Sequence, residues 1–81
     1  MKARVFVSLK KTVLDPQGQT IRSALAGRGY ETIADVRQGK IFEIELSAET
    51  DRDQAHQQLE EIARDVLANP VIEDYRVEML D

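Results

Sequence analysis

The stretch RVFVSLKKTVLDPQGQTI, residues 4–21, decides the start of the fold, because a strand pattern changes there into a helix start. Apart from Phe6, residues 4–10 alternate between apolar and polar side chains, which is the period of two expected of a strand. Val5, Val7 and Leu9 therefore lie on one side of it. Asp15 as N-cap, with Pro16 at the first helical position, predicts that a helix begins directly afterwards.

Two helices follow from the spacing of apolar residues and from their end signals. Gly27 and Gly29 end the first helix, and Asp51 caps the second. The residues at helical spacing are Ile21, Ala24, Leu25 and Arg28 in the first helix, and Ala55, Leu59, Ile62, Ala63 and Val66 in the second. The segment Ala-Asn-Pro, residues 68–70, ends the second helix, since the residue before a proline disfavours helical geometry.

The segment YETIADVRQGKIFEIEL, residues 30–46, predicts a strand, a turn at QGK and a second strand. Phe42, Ile44 and Leu46 face inward in the second strand. Ile33 and Val36 differ in parity, so the first half is either bulged or part of one long bent strand. A last strand over 71–80 places Tyr75, Val77 and Met79 on one side.

These elements predict an α+β fold in the order β-α-β-β-α-β. We expect a two-layer sandwich with an antiparallel sheet of three to four strands and both helices on one sheet face. The whole chain, residues 1–81, forms one domain at this length.

The composition excludes several classes of function. Cysteine is absent, so disulfides, thiolate metal sites and cysteine nucleophiles are excluded, and we expect a cytoplasmic location. The chain carries 15 acidic and 11 basic residues, two Phe, two Tyr and no Trp, whereas nucleic-acid binders are usually basic and offer stacking platforms. No apolar run approaches the roughly 20 residues that span a bilayer. We therefore expect neither a nucleic-acid nor a membrane partner.

Catalytic and metal-binding patterns are not found in the sequence. His56 is the single histidine, without further ligands for zinc or an obvious nucleophile, and a solvated surface position explains it. Phosphate-binding glycine motifs and calcium loops are missing. The best candidates for an anionic contact are Lys10, Lys11, Arg37 and Lys40, although solvated strand ends explain them equally simply.

One sheet face is predicted to lie opposite the helices and to carry apolar residues among charges. These residues are Phe6, Ile33, Ile41 and Leu80. The mixture is typical of an association surface. It is equally compatible with ordinary scatter of exposed apolar side chains.

Three segments together resemble the PurS subunit of phosphoribosylformylglycinamidine synthase. They are VFVSLKKTVLDPQGQTI, LAGRGYETIADVRQGKIFEIEL and ANPVIEDYRVEML. The resemblance implies a three-part enzyme of purine biosynthesis. A glutaminase subunit releases ammonia, and a synthetase subunit uses ATP and Mg to convert formylglycinamide ribonucleotide to formylglycinamidine ribonucleotide. The small subunit would form a dimer or tetramer and bridge the other two, with no catalytic residue, cofactor or metal of its own.

The resemblance also implies roles for individual residues. Contacts to partner subunits are expected from Lys10, Lys11, Arg37, Lys40, Asp74 and Tyr75. Mainly architectural roles are expected for Asp15, Pro16, Gly18, Gly39 and Pro70. The alternative function is a free-standing regulatory domain, similar to ACT-type modules, that binds a small ligand between paired copies.

Overall fold

The computed structural model describes residues 1–80 and contains one antiparallel sheet with two α-helices. In chain order the elements are β1 (Lys2–Leu9), α1 (Pro16–Gly27), β2 (Gly39–Glu45), α2 (Arg52–Ile62), a π-helix (Ala63–Leu67) and β3 (Glu73–Leu80). The predicted α+β class and the three-stranded antiparallel sheet are confirmed.

Strand β1 is the centre of the sheet, in the order β2-β1-β3, and pairs antiparallel with both neighbours. Val5 lies opposite Phe42 on one side and opposite Val77 on the other. Residues that lie directly opposite each other in a sheet point to the same side of it. These three residues therefore share one face, which we call the inner face. The predicted inward alternation of β1, β2 and β3 is thereby confirmed.

The core lies between the inner face and α2. Its fully buried residues are Ala3, Val5 and Val7 of β1 together with Ala55, Leu59 and Ala63. Small side chains at 55 and 63 let the helix approach the sheet closely. Strand β3 contacts both α2 and the π-helix, and Phe42 and Ile44 of β2 pack against the buried cluster of Val5, Val7 and Ala63.

The apolar stripe of the second helix is shorter than its sequence pattern predicts. Ile62 is 39% exposed and Val66 is 73% exposed, whereas Ala55, Leu59 and Ala63 are buried. The exposure of Val66 is explained by the π-helix, in which the Ala68 N–H donates to the carbonyl of Ala63, five residues earlier. The wider turn rotates the following side chains away from the face they would have reached in an α-helix.

The predicted hairpin within residues 30–46 is wrong. Residues 33–38 form no regular structure, so the order is β-α-β-α-β rather than β-α-β-β-α-β. Ile33 lies in this segment and not on the sheet. The physical reason is that the end of the segment forms hydrogen bonds with the residues before α1, as described below, in place of a neighbouring strand.

Helix α1 does not lie over the sheet beside α2, which corrects the prediction of two helices on one face. Only Gly18 of this helix is buried. The chain is correspondingly elongated, with principal dimensions of 51 × 26 × 14 Å. We call residues 10–38, which leave the sheet after β1 and return at β2, the arm.

Gly18 is predicted to be a position where only glycine fits. A β-carbon there would overlap the carbonyl oxygen of Val36, so Gly18→Ala must move Val36 away from the start of α1. We expect a loss of about 1–3 kcal/mol in the free energy of unfolding, measured by urea denaturation. The matched control is Gly27→Ala, since a β-carbon at Gly27 meets open space. That variant should be unchanged or slightly more stable, and an equal loss in both variants would contradict the close-approach explanation.

Candidate interaction surfaces

A buried carboxylate fixes the base of the arm. Asp15 is only 3% exposed. Its Oδ1 accepts a hydrogen bond from the Gly18 N–H at 2.9 Å, and its Oδ2 accepts one from the Gln38 N–H at 2.7 Å. The first bond caps α1 as predicted, whereas the second ties the helix start to the residue before β2.

Arg37 closes the same junction from the other side. One guanidinium nitrogen, Nη2, donates to the carbonyl oxygens of Lys10 and Val13, each at 2.8 Å. The name clasp is used here for this junction. It consists of the hydrogen bonds made by Asp15 and Arg37 and the close approach of Gly18 to Val36. Arg37 was predicted from family resemblance to contact a partner. That role stays a prediction, and the structure adds an architectural role that the sequence did not suggest.

The clasp also perturbs the acidity of Asp15. The backbone hydrogen bond from Gln38 is the largest cause, followed by that from Gly18, and the Arg37 charge acts in the same direction. These interactions favour the ionised carboxylate and hold the pKa of Asp15 below its ordinary value of 3.8, although desolvation opposes them.

The predicted partner-contact residues gather at one end of the sheet, where β1 ends and β2 and β3 begin. Lys10 and Lys11 follow β1 directly. Lys40 and Tyr75 both lie opposite Val7 in the register, and Asp74 lies opposite Ser8. The Lys40 ammonium also lies 5.6 Å from the centre of the Phe42 ring. A wide groove open to solvent runs across this end, lined by residues that include Lys40, Asp74 and Tyr75. We call this end of the sheet the basic end, and it is formed by Lys10, Lys11, Lys40, Asp74 and Tyr75.

Two other residues predicted to be architectural lie directly before β3 or at the start of β2. At Gly39 a β-carbon would lie 2.8 Å from the carbonyl oxygen of Val7, so glycine permits the first pairing of β2 with β1. Pro70 lies in the turn before β3. There the Asn69 N–H donates to Glu73 Oε1 at 2.7 Å, and the Val71 N–H donates to Asn69 Oδ1 at 3.1 Å. The sequence signal for this turn was the Asn-Pro pair.

The sheet face opposite α2, called here the open face, carries three of the four predicted association residues. Phe6 lies between Ile41 and Arg76 in the register, and Leu80 lies on the same face beside Lys2. Ile41 is 57% exposed. The Arg76 guanidinium stacks 4.1 Å above the Phe6 ring. The fourth residue, Ile33, does not belong to this face.

No constellation for catalysis was found among residues 1–80. His56 Nε2 lies 3.6 Å from Glu60 Oε1 on the surface of α2. No group of three or more acidic, histidine or cysteine side chains in this part of the chain could hold a metal ion. None of the described helices is both long and apolar enough to cross a membrane.

Comparison with known proteins identifies the family. The family model for PurS, phosphoribosylformylglycinamidine (FGAM) synthase, matches residues 2–81. The chain belongs to the PurS family. The PurS subunit of Bacillus subtilis is 45% identical over 78 residues, which cover 96% of this chain and 90% of that protein. PurS proteins are subunits of FGAM synthase, an enzyme of purine biosynthesis, and this chain is such a subunit.

Solved structures of PurS proteins have the same fold as this chain. The structure of B. subtilis PurS aligns with a TM-score of 0.83 at 42% identity, covering 99% of this chain and 98% of the other. A structure of PurLQS from Thermotoga maritima aligns with a TM-score of 0.85 at 29% identity, covering 98% and 95%. The arm and the three-stranded sheet are therefore compatible with a PurS chain that is part of a complex.

The clasp predicts a specific dependence of stability on pH. Because the folded-state pKa of Asp15 is lowered, its contribution is fully present above the ordinary pKa of 3.8 and is lost as the pH falls through the folded-state pKa. Asp15→Asn should destabilise the fold at neutral pH, since an amide can accept from one backbone N–H but presents an N–H₂ group to the other. The difference between wild type and variant should shrink below about pH 4.

Urea denaturation between pH 2.5 and 7 measures this difference. The matched control is Asp51→Asn, because Asp51 is an exposed cap whose carboxylate accepts from the Gln54 N–H at 3.2 Å. The control should cost less stability at neutral pH than Asp15→Asn. A gap between wild type and Asp15→Asn that stays constant down to pH 2.5 would contradict the clasp explanation.

Proposed function

We propose that this chain is a non-catalytic connecting subunit that bridges the glutaminase and synthetase subunits of FGAM synthase. The observation that supports this most directly is the PurLQS structure from T. maritima, in which a chain of the same fold is found together with PurL and PurQ. The described residues offer exposed surfaces and no reactive constellation, in keeping with this role.

The chemistry of amide transfer gives such a bridge a purpose. Ammonia released from glutamine is protonated in neutral water, and the ammonium ion has no lone pair for nucleophilic attack. A path sheltered from water between the two catalytic sites preserves the nucleophile until it reaches the ATP-activated substrate. In this proposal ATP, Mg and glutamine are used by the partner subunits, and the small chain binds no cofactor.

Different surfaces of the chain suit different contacts. The basic end combines exposed Lys11, Lys40 and Asp74, so it offers both charges to a partner subunit. The open face combines exposed Ile41 with Phe6 and with paired charges such as Arg4 and Glu43, whose Nε and Oε1 atoms are 3.6 Å apart. We assign the basic end to the partner subunits and the open face to association of copies of this chain, as a dimer or a tetramer.

The decisive experiment for the proposed function is reconstitution of the complex. The purified chain is mixed with the synthetase and the glutaminase of its own organism, Mg-ADP and glutamine, and the mixture is separated by size exclusion. We expect one species that contains all three chains, with glutamine-dependent activity that requires the small chain. Full glutamine-dependent activity without the small chain would overturn the proposal.

Charge reversal at the basic end provides a sharper prediction. The double variant Lys11→Glu, Lys40→Glu avoids Arg37, whose loss would also open the clasp. At limiting concentration of the small chain we expect glutamine-dependent activity to fall about tenfold, because the interfacial charges no longer match, while activity with added ammonia is unchanged.

Arg28→Glu is the control, since Arg28 is exposed directly after α1 and belongs neither to the basic end nor to the open face. It should retain both activities. If the double variant lost both activities to the same extent, the basic end would have a role other than joining the two catalytic subunits.

A further inference from the structure

The turn before β3 presents a run of apolar residues to solvent. Pro70, Val71 and Ile72 are consecutive, and all three are exposed. Val71 is 78% exposed and Ile72 is 39% exposed. Turns are normally built from polar residues and glycine, and three exposed apolar residues in a row are unfavourable in water unless they serve a contact. We call these three residues the knob.

Hydrogen bonds hold the turn that carries the knob in one shape. The Asn69 carbonyl accepts from the Ile72 N–H at 3.1 Å and from the Glu73 N–H at 2.7 Å. The Asn69 side chain accepts from the Val71 N–H, and the Glu73 carboxylate accepts from the Asn69 N–H. A surface segment that is already ordered loses less conformational freedom when it binds. The knob is therefore pre-organised for a contact with another molecule.

The knob and the basic end form one continuous surface. The Lys10 N–H donates to the Ile72 carbonyl at 2.9 Å, which places the end of β1 directly beside the knob. The Lys10 carbonyl accepts from Arg37 Nη2 at 2.8 Å, so the clasp holds the same residue from the other side. The backbone of the knob is thus tied to the sheet and, through Lys10, to the arm.

Charge indicates the chemistry of the surface that fits the knob. Of the five residues that form the basic end, Lys10, Lys11 and Lys40 are basic and Asp74 alone is acidic. The nearby Glu73 carboxylate is engaged within the turn itself. Interfaces commonly combine an apolar centre with a polar rim, and opposite charges face each other across them. An apolar pocket with carboxylates on its rim is therefore the complement of this surface.

We propose that the knob is an anchor that inserts into an apolar, acid-rimmed pocket of a partner subunit. Asn69 and Glu73 are positioning residues, since they hold the knob without entering the pocket. The inference rests on the proposed function, which assigns the basic end to the partner subunits. It adds the segment that inserts and the chemistry of the site that receives it.

Val71→Ser tests the anchor. The variant is titrated into a fixed concentration of synthetase and glutaminase from its own organism, with their substrates, and glutamine-dependent activity is followed. We expect the half-saturating concentration of the small chain to rise about tenfold, because an apolar side chain is no longer buried on binding. Activity at saturation, self-association by light scattering and the urea midpoint should be unchanged.

Val66→Ser is the matched control, since Val66 is 73% exposed and lies on the π-helix rather than in the turn. It should saturate at the wild-type concentration. Equal weakening by the two variants would overturn the assignment of the anchor to the turn.

The sign of a charge placed on the knob tests the acidic rim. Val71→Asp and Val71→Lys both remove the apolar side chain, but only the aspartate is repelled by carboxylates. We expect Val71→Asp to raise the half-saturating concentration several-fold more than Val71→Lys does. Equal effects, or a larger effect of the lysine, would contradict an acidic rim.

Glu73 allows the positioning role to be separated from direct contact. Glu73→Ala removes the acceptor for the Asn69 N–H, whereas Glu73→Gln keeps an amide oxygen at the same place. We expect Glu73→Ala to raise the half-saturating concentration about threefold, because the looser turn must be ordered on binding, and Glu73→Gln to restore it. A Glu73→Ala variant that saturates like wild type would contradict the positioning role.

The outcomes separate this inference from the proposed function. If wild type formed no complex with the synthetase and the glutaminase, the bridging proposal and the anchor would both fail. If wild type formed the complex and Val71→Ser saturated at the same concentration, the anchor alone would be overturned. If Val71→Ser weakened self-association instead, the knob would contact a second copy of this chain, and the anchor would again be overturned.

Discussion

The carboxylate of Asp15 is the constraint on which the rest of this structure depends. By accepting from Gly18 and from Gln38, one side chain joins the start of α1 to the start of β2. A buried carboxylate is stable there because two backbone donors and the nearby Arg37 charge favour its ionised form. The direction of the arm, the absence of a hairpin and the register of β2 after Gly39 all follow from this junction.

The core of this domain is small, which agrees with a chain that works in an assembly. Its fully buried residues are mostly Ala and Val, and Leu59 is the largest of them. A domain of this length buries only about 60% of the surface that its unfolded chain exposes. Apolar side chains such as Ile21, Ile41 and Val66 are left substantially exposed. In the proposed function, contacts with other chains would cover them.

The distribution of charge is as informative as the apolar surface. The net charge of −4 conceals a division between the arm, where Lys10, Lys11, Arg22 and Arg28 lie, and the more acidic helix α2. In the proposed function, this division helps the chain to distinguish one partner surface from another, because each surface attracts opposite charges and repels like charges.

The sequence by itself determined the elements with strong local signals. The alternation of β1, the Asp15-Pro16 helix start, the glycines that end α1 and the Asp51 cap each act within a few residues, so local chemistry was sufficient to predict them. Family resemblance added the enzyme to which the chain belongs. The α+β class and the inward faces of all three strands followed from these local patterns.

Only the tertiary structure decided how distant segments use one another's groups. The bonds of Asp15 to Gln38 and of Arg37 to Lys10 join residues 23 and 27 positions apart, and no periodicity encodes such a contact. They replaced the expected hairpin and moved α1 away from the sheet. The π-helix at Ala63 similarly exposed Val66, which its spacing had placed in the core. Local propensity specifies the elements, whereas competition for backbone hydrogen-bond groups across the chain specifies their arrangement.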